Sequence, residues 1–426
     1  MMIDYILMAL LSFGSPYGLT TQIKQNSKTS GYDFCRRSPD LLLRENGHFV
    51  EVPLDHKSPT KGSIKLYYRT ETPFNPKLPS VVVFNGGPGL GAHQDFLKNT
   101  TEYNIILFDP RGVGCSRWSS NKNPSSFPFL NSESIAQDIE FIRRDLKIAK
   151  WTVWGLSYGS APATIYAHLY PERTQALLLE GVIRSGGSHL WSNSRRREMQ
   201  EQVLRRLTVP ELNVVTGLAA KLKIDPTWFG VKSRQYLSAN GGAEIFIHYL
   251  RSLNSPSVQR QLKKEMLKVR TSQAFYYLYK EEQVFAQIGC RELGLAVAES
   301  SDLEALSQTG LIYEMPGSAQ QRYCSTLGVI ENNPYNAYNY PIRVPTYYFH
   351  GRDDVILPFE EAERHFNEVA RGRAYLLIHD KGGHTPHLQL LREGNRQQWS
   401  VFKQITRGVS LSAEQFSKSP WIFNTK

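Results

Sequence analysis

Three short runs of this chain are almost continuously apolar: Ser80–Phe84, Asn104–Phe108 and Trp151–Trp154. Strands that are apolar at consecutive positions are buried on both faces, as in a parallel sheet. Upstream, Phe49–Pro53 and Ile64–Arg69 read as two strands joined by a Pro/Asp/Lys/Gly-rich turn, which predicts an antiparallel hairpin at a sheet edge. Before the third run, Ile135, Ile139, Ile142 and Leu146 recur at helical spacing, with Ser134 and Gln137 as the expected capping box. Ser160–Tyr170 reads as a helix, and Ala176–Glu180 as a fourth strand. Alternating strands and helices predict an α/β fold with a mostly parallel sheet.

The pattern changes after Ser185. The segment to Pro341 is helical, charged and aromatic, with Phe275–Tyr279 in its middle. The α/β pattern resumes at Pro345–His350 and Ala374–Ile378. A separate second domain is one reading. The return of the same pattern favours a helical cap inserted into one sheet. The expected division is a signal segment at 1–22, core at 23–184, cap at 185–341, and core again at 342–426.

The third apolar run leads into Gly155-Leu156-Ser157-Tyr158-Gly159. Strand, Gly-x-Ser-x-Gly turn and helix form the setting of a nucleophile elbow, in which small glycines let a serine hydroxyl stand clear of the sheet. The motif alone is weak; its context strengthens it. An activated serine needs a base, and the base an orienting acid. In α/β-hydrolases these follow in the order Ser, Asp/Glu, His. After the strand ending at His350 come Asp353 and Asp354, with Pro358 beyond. Asp354 is preferred from the loop spacing; both aspartates as plain turn residues is the alternative. After Ala374–Ile378 comes Gly382-Gly383-His384, a glycine-hinged loop that could carry His384 to the serine. His387 could pair with His384 as a metal ligand, but no third ligand accompanies it. His379, at the strand end, reads as structural. Asn85-Gly86-Gly87-Pro88-Gly89 follows the first strand. Backbone N–H groups of Gly86 or Gly87, with that of Tyr158, are the expected oxyanion donors.

Composition adds bounds. The 426 residues are 41% hydrophobic and 21% charged, ordinary for a globular enzyme. A formal charge of +11 invites a nucleic-acid or membrane reading. The basic runs Arg195–Arg197 and Arg205–Arg206 fit a solvated helix face, and no nucleic-acid motif accompanies them. No apolar run is a convincing membrane span. Ile6–Phe13 followed by Ser15, Pro16 and Gly18 resembles a secretory signal, although Asp4 stands where a basic residue is usual. Export is the expectation, cytoplasm the alternative. Of four cysteines, Cys290 and Cys324 are the expected disulfide, whereas Cys115 reads as a small buried filler.

Together, Gly86–Gly89, Asp109-Pro110-Arg111-Gly112-Val113-Gly114-Cys115-Ser116, the elbow and the later Gly-Gly-His resemble the proline iminopeptidase group of serine peptidases, with its related tripeptidyl aminopeptidases. The likeness runs from about Val81 to Val182 and from about Val344 to His387. Asn85 departs from it, since simple proline iminopeptidases have His there. The resemblance implies an α/β-hydrolase fold, no metal or organic cofactor, and a short peptide substrate with a free N-terminus. It also implies an acidic cap residue for the substrate amine. Glu292, in Ile288-Gly289-Cys290-Arg291-Glu292, matches that position; a helix-surface glutamate is the equal alternative. A carboxylesterase on the same triad remains the other functional reading.

Overall fold

The computed structural model describes residues 30, 32–33, 35, 46–92, 96–97, 100–117, 129–191, 194–226, 228–271, 284, 287–294, 311, 324 and 333–426. The expected signal segment 1–22 and Phe275–Tyr279 lie outside them.

Each of the three apolar runs becomes a strand. The described strands are β1 (Gly47–Pro53), β2 (Ser63–Thr70), β3 (Ser80–Phe84), β4 (Asn104–Phe108), β5 (Trp151–Leu156), β6 (Thr174–Glu180), β7 (Thr346–Gly351), β8 (Ala374–His379) and β9 (Trp421–Thr425). They form one sheet in the order β1-β2-β4-β3-β5-β6-β7-β8-β9. The inner strands β4 to β8 are parallel, and the hairpin β1–β2 and strand β9 close the two ends antiparallel. Both faces are covered. Val82, Phe84 and Val153 join one buried cluster, and Val81, Val83 and Trp154 the other. The two-residue alternation of side chains explains why such strands are apolar throughout.

Helix α1 (Ser132–Asp145) buries the predicted isoleucines. Its cap differs from the expectation. Asn131, not Ser134, is the N-cap, and its side chain accepts the N–H of Ser134 at 2.7 Å. Asn caps as well as Ser does, so an Asn three residues earlier wins. Helix α2 (Ser160–Leu169) follows the elbow. Arg111 is fully buried between α1 and the hairpin. It donates to Asp138 of α1 and to the carbonyls of Pro53 and Leu54. The Asp-Pro-Arg motif thus pins the edge hairpin onto the core.

Between β6 and β7 the described residues include α3 (Ser194–Leu204), α4 (Val209–Leu222), α5 (Trp228–Leu237), α6 (Gly242–Ser252) and α7 (Pro256–Thr271). They surround a cluster of their own, with Trp228, Phe229, Phe246 and Leu250 at its centre. That cluster also takes in Val355, from the loop after β7. The basic run is more engaged than a solvated face. Arg196 is buried, and Arg195 donates to the carbonyl of Arg352, whereas Arg205 and Arg206 pair on the surface with Glu201 and Glu244. The C-terminal part adds α8 (Phe359–Val369), α9 (Pro386–Arg392) and α10 (Arg396–Thr406).

Cys290 and Cys324 are bonded, with Cα atoms 5.7 Å apart. Cys115 is not a free filler, contrary to expectation: it is bonded to Cys35 across 80 residues. Its turn lies beside the segment holding Cys35, a proximity that sequence spacing does not reveal. Among the described residues, no helix is long and apolar enough to cross a membrane.

Candidate active site

Ser157 sits where β5 breaks into a helical turn leading to α2, with φ of 54°. A non-glycine residue in the left-handed region is strained, and it persists where its surroundings enforce it. Here they do. A Cβ on Gly159 would lie 1.9 Å from the carbonyl oxygen of Phe84, so only glycine lets the turn approach β3 this closely. A Cβ on Gly86 would lie 2.9 Å from Ser157 Cβ, which places the backbone of the Gly-Gly-Pro-Gly loop directly against the serine. That loop is held from both ends. Asn85 Nδ2 donates to Gly91 O at 3.0 Å, and Ala92 N donates to Asp109 Oδ1 at 2.6 Å. Asp109 Oδ2 accepts the N–H of Cys115, so the Cys35–Cys115 bond anchors the same support.

Asp354 and His384 come together across 30 residues, with His384 Nδ1 2.8 Å from Asp354 Oδ2. Both are buried. Asp354 Oδ1 accepts the N–H groups of Ile356 and Leu357, at 2.8 and 3.1 Å. His350 Nε2 lies 3.2 Å from Oδ2 and 3.0 Å from Leu357 O, so this nitrogen carries a proton toward both acceptors. Burial pushes the Asp354 carboxyl upward. The neighbouring His384 and His350 overcome it and hold the group well below the usual carboxylate range. An ionised Asp354 at Nδ1 keeps the proton there and leaves His384 Nε2 free to accept one. Asp353 does not reach the ring. Its N–H donates to Gly382 O, and burial pushes its carboxyl up.

The His384 ring stands over Gly181, where a Cβ would meet its Cε1 at 2.6 Å. Gly181 follows Glu180, which pairs in register with Leu156, the residue before Ser157. Ser157 and the His384 imidazole therefore lie at the carboxyl ends of adjacent strands. No hydrogen bond joins Ser157 Oγ to the ring among the described contacts; such contacts are often loose before substrate binds. The glycines of Gly-Gly-His serve close packing rather than a hinge. A Cβ on Gly382 would collide with Gly351 and His379, and one on Gly383 would lie 2.1 Å from Ser238 O.

Glu292 follows a short helical stretch and turns its carboxylate inward. Both oxygens accept the N–H of Ser132 at the start of α1, and Oε2 also accepts Ser132 Oγ–H at 2.5 Å. Ser132 Oγ lies 2.9 Å from Tyr158 OH. Burial pushes the Glu292 carboxyl up to about 7, against the Ser132 hydrogen bonds. This puts Glu292 one side chain away from the residue after Ser157.

Two supporting residues carried no motif. Glu180 is fully buried at the end of β6. Its Oε1 accepts Trp154 Nε1–H at 3.1 Å, and its Oε2 accepts the N–H groups of His387 and Leu388 at 2.9 and 3.2 Å. It caps α9 from a neighbouring strand, where the helix's own Thr385 makes no side-chain cap. Asn240, between α5 and α6, bonds to the loop bearing His384. A buried glutamate at the end of an apolar strand was the one available signal; for Asn240 there was none. His387 stacks on Phe349 with ring centroids 4.1 Å apart and has its Nδ1 on Gln398, so it serves packing. Among the described residues, no group of three or more His, Cys, Asp or Glu is placed to hold a metal ion. His379 packs edge-on against Trp421.

The profile of the alpha/beta hydrolase fold family matches residues 79–389. A proline iminopeptidase of Xylella fastidiosa (strain 9a5c) is 34% identical over 143 residues, 30% of this chain and 44% of that protein. One from Neisseria meningitidis serogroup A is 34% identical over 127 residues, covering 28% and 38%. The matched stretch thus spans less than half the length of these relatives. Among solved structures, proline iminopeptidase from Mycobacterium smegmatis aligns over 85% of this chain and 98% of its own, with 13% identity and a TM-score of 0.44.

Proposed function

Because the chain belongs to the α/β-hydrolase fold family, we propose that it is a serine hydrolase that releases residues from the free N-terminus of short peptides. The observation that carries this reading is the buried Asp354–His384 pair, standing over Gly181 beside the strained Ser157 elbow. Ser157 Oγ attacks the scissile carbonyl while His384 Nε2 takes its proton. Asp354 stabilises the imidazolium. The N–H of Gly86 or Gly87, with that of Tyr158, binds the oxygen that becomes negative. Collapse breaks the C–N bond, and His384 returns the proton to the departing amine. Water then attacks the acyl carbon as His384 takes its proton; the ester C–O bond breaks, Ser157 Oγ recovers the proton from His384, and the acid product leaves.

The partial likeness to proline iminopeptidases supports a peptide substrate. Glu292 supports the free-amine preference, since a carboxylate near the nucleophile can pair with an ammonium that would be costly to bury alone. The described helices between β6 and β7 act as a cap over the site, and the contacts of the α5–α6 turn with the His384 loop support this. Two disulfides favour an exported protein.

The test compares kcat/KM on aminoacyl and tripeptidyl amides with free and acetylated N-termini, and on simple acyl esters. The aminopeptidase reading expects the free-amine peptides to lead. A preference for blocked peptides or esters would replace it with an endopeptidase or carboxylesterase on the same three residues. Ser157→Ala should abolish hydrolysis while the protein stays folded; residual activity within about tenfold of wild type would remove Ser157 from its role.

A further inference from the structure

The residues between β6 and β7 do more than stand near the site. The turn joining α5 to α6 grips the loop that bears His384. Ser238 O accepts the N–H of His384 itself at 2.9 Å. Asn240 Oδ1 accepts the N–H of Gly383 at 3.0 Å, and its Nδ2 donates to the carbonyl of Pro386 at 3.2 Å. The backbone N–H of Asn240 donates to Gln389 Oε1 at 2.8 Å. One side chain thus spans the residue before His384 and the second residue after it. The amide serves both partners at once, because its oxygen accepts from the Gly383 N–H and its nitrogen donates to the Pro386 carbonyl. The absence of a side chain on Gly383 is what admits Ser238 so closely.

We propose that Asn240 is a positioning residue for His384, through which the helical insert sets the geometry of the catalytic base. The inference rests on the reading of His384 as that base. Asp354 fixes the imidazole at Nδ1, from the loop after β7; the rest of the His384 loop backbone is free to shift unless something holds it. Asn240 and Ser238 hold it from the insert, and Glu180 holds the following helix from β6. The acid loop leans on the insert too, since Val355, next to Asp354, is buried in the insert's own apolar cluster. Displacing the insert would therefore loosen acid and base together, and substrate contacts that settle the insert would tighten them. This ties the chemical step to the seating of the insert, without Asn240 touching substrate.

The experiment measures labelling of Ser157 by a fluorophosphonate, which needs an activated serine but no peptide specificity. It is run on the full chain as wild type, Asn240→Ala, Asn240→Asp and the surface control Arg205→Ala. Asn240→Asp keeps an acceptor for Gly383 but sets a carboxylate oxygen against Pro386 O. Labelling rates are expressed per active site, from the final labelling stoichiometry, so that an unfolded fraction does not count. Both Asn240 variants should label about 10- to 100-fold more slowly, the range expected when a catalytic group is misplaced by about 1 Å. kcat on the best amide substrate should fall by a similar factor, with KM changed less than about threefold. Arg205→Ala should label as wild type does. Asn240 variants with wild-type rates per active site, or with loss confined to KM, would overturn the proposal. If wild-type protein fails to label at all, the serine-hydrolase reading itself falls; if it labels but cleaves no peptide, only the substrate class falls and the labelling comparison still tests Asn240.

Discussion

Replacing Glu180 by glutamine should remove a pH dependence of stability that this one carboxyl builds into the fold. Glu180 is fully buried, and its three hydrogen-bond partners are all N–H donors. Those donors favour the ionised form, but burial opposes it more strongly and pushes the group from 4.5 up to about 8. The unfolded chain loses this proton near pH 4.5 and the folded chain near 8. Between those values the folded state binds more protons, so stability falls as pH rises, and above about 8 the loss is complete. At 1.36 kcal/mol per pH unit, the full interval corresponds to about 5 kcal/mol. The glutamine variant has no such proton to lose. Its cost lies elsewhere. With its oxygen kept toward His387 and Leu388, its amide nitrogen meets the indole N–H of Trp154, donor against donor, at about 1–3 kcal/mol. Urea unfolding followed from pH 5 to 9 should therefore give curves that cross, with the variant less stable at pH 5 and equal or better near pH 8.5. Other titrating groups cancel in the difference between the two proteins. Parallel curves would refute the reasoning and show that Glu180 stays ionised throughout. Adding Trp154→Phe to the variant should recover part of the acid-side loss, because it removes the opposing donor.

Asp354→Asn should lower kcat by a factor on the order of 10³–10⁴, since an amide no longer fixes the Nδ1-protonated tautomer. Asp353→Asn should change it little, and the reverse ranking would reassign the acid. Glu292→Gln should depress kcat/KM on a free-amine peptide by about 2–5 kcal/mol more than on its acetylated counterpart; equal losses on both would take Glu292 out of substrate binding. Replacing Cys35 and Cys115 together by alanine should destabilise the protein by about 2–5 kcal/mol, as expected for opening a loop of 80 residues. Peptide mapping without reduction should recover Cys35–Cys115 and Cys290–Cys324 as the linked pairs, and any other pairing would refute this arrangement.

Local pattern alone determined much of the molecule. Ser80–Phe84, Asn104–Phe108 and Trp151–Trp154 are apolar at consecutive positions, which suits a strand covered on both faces, and each is an inner strand of the sheet. The elbow and the Gly-Gly-Pro-Gly loop were legible because a tight turn against a strand tolerates few residue types. Asp354 as the partner of His384 was legible because strand end, turn and proline follow one another within a few positions. What the sequence left open depends on distance along the chain. Gly-Gly-His suggested a hinge, yet those glycines answer to Gly351 and Ser238, which no local pattern reveals. Cys115 meets Cys35 across 80 residues, Glu292 meets Ser132 across 160, Glu180 meets His387 across 207, and Asn240 meets Gly383 across 143. Each is an ordinary residue in its own neighbourhood and acquires a role only from a partner brought up by the sheet order and the seating of the insert. Hydrogen bonds and charges act over a few ångströms, so the residues that hold the His384 loop were decided by tertiary structure, whereas the tight turn at Ser157 and the pairing of Asp354 with His384 could be anticipated from the strand ends and turns around them.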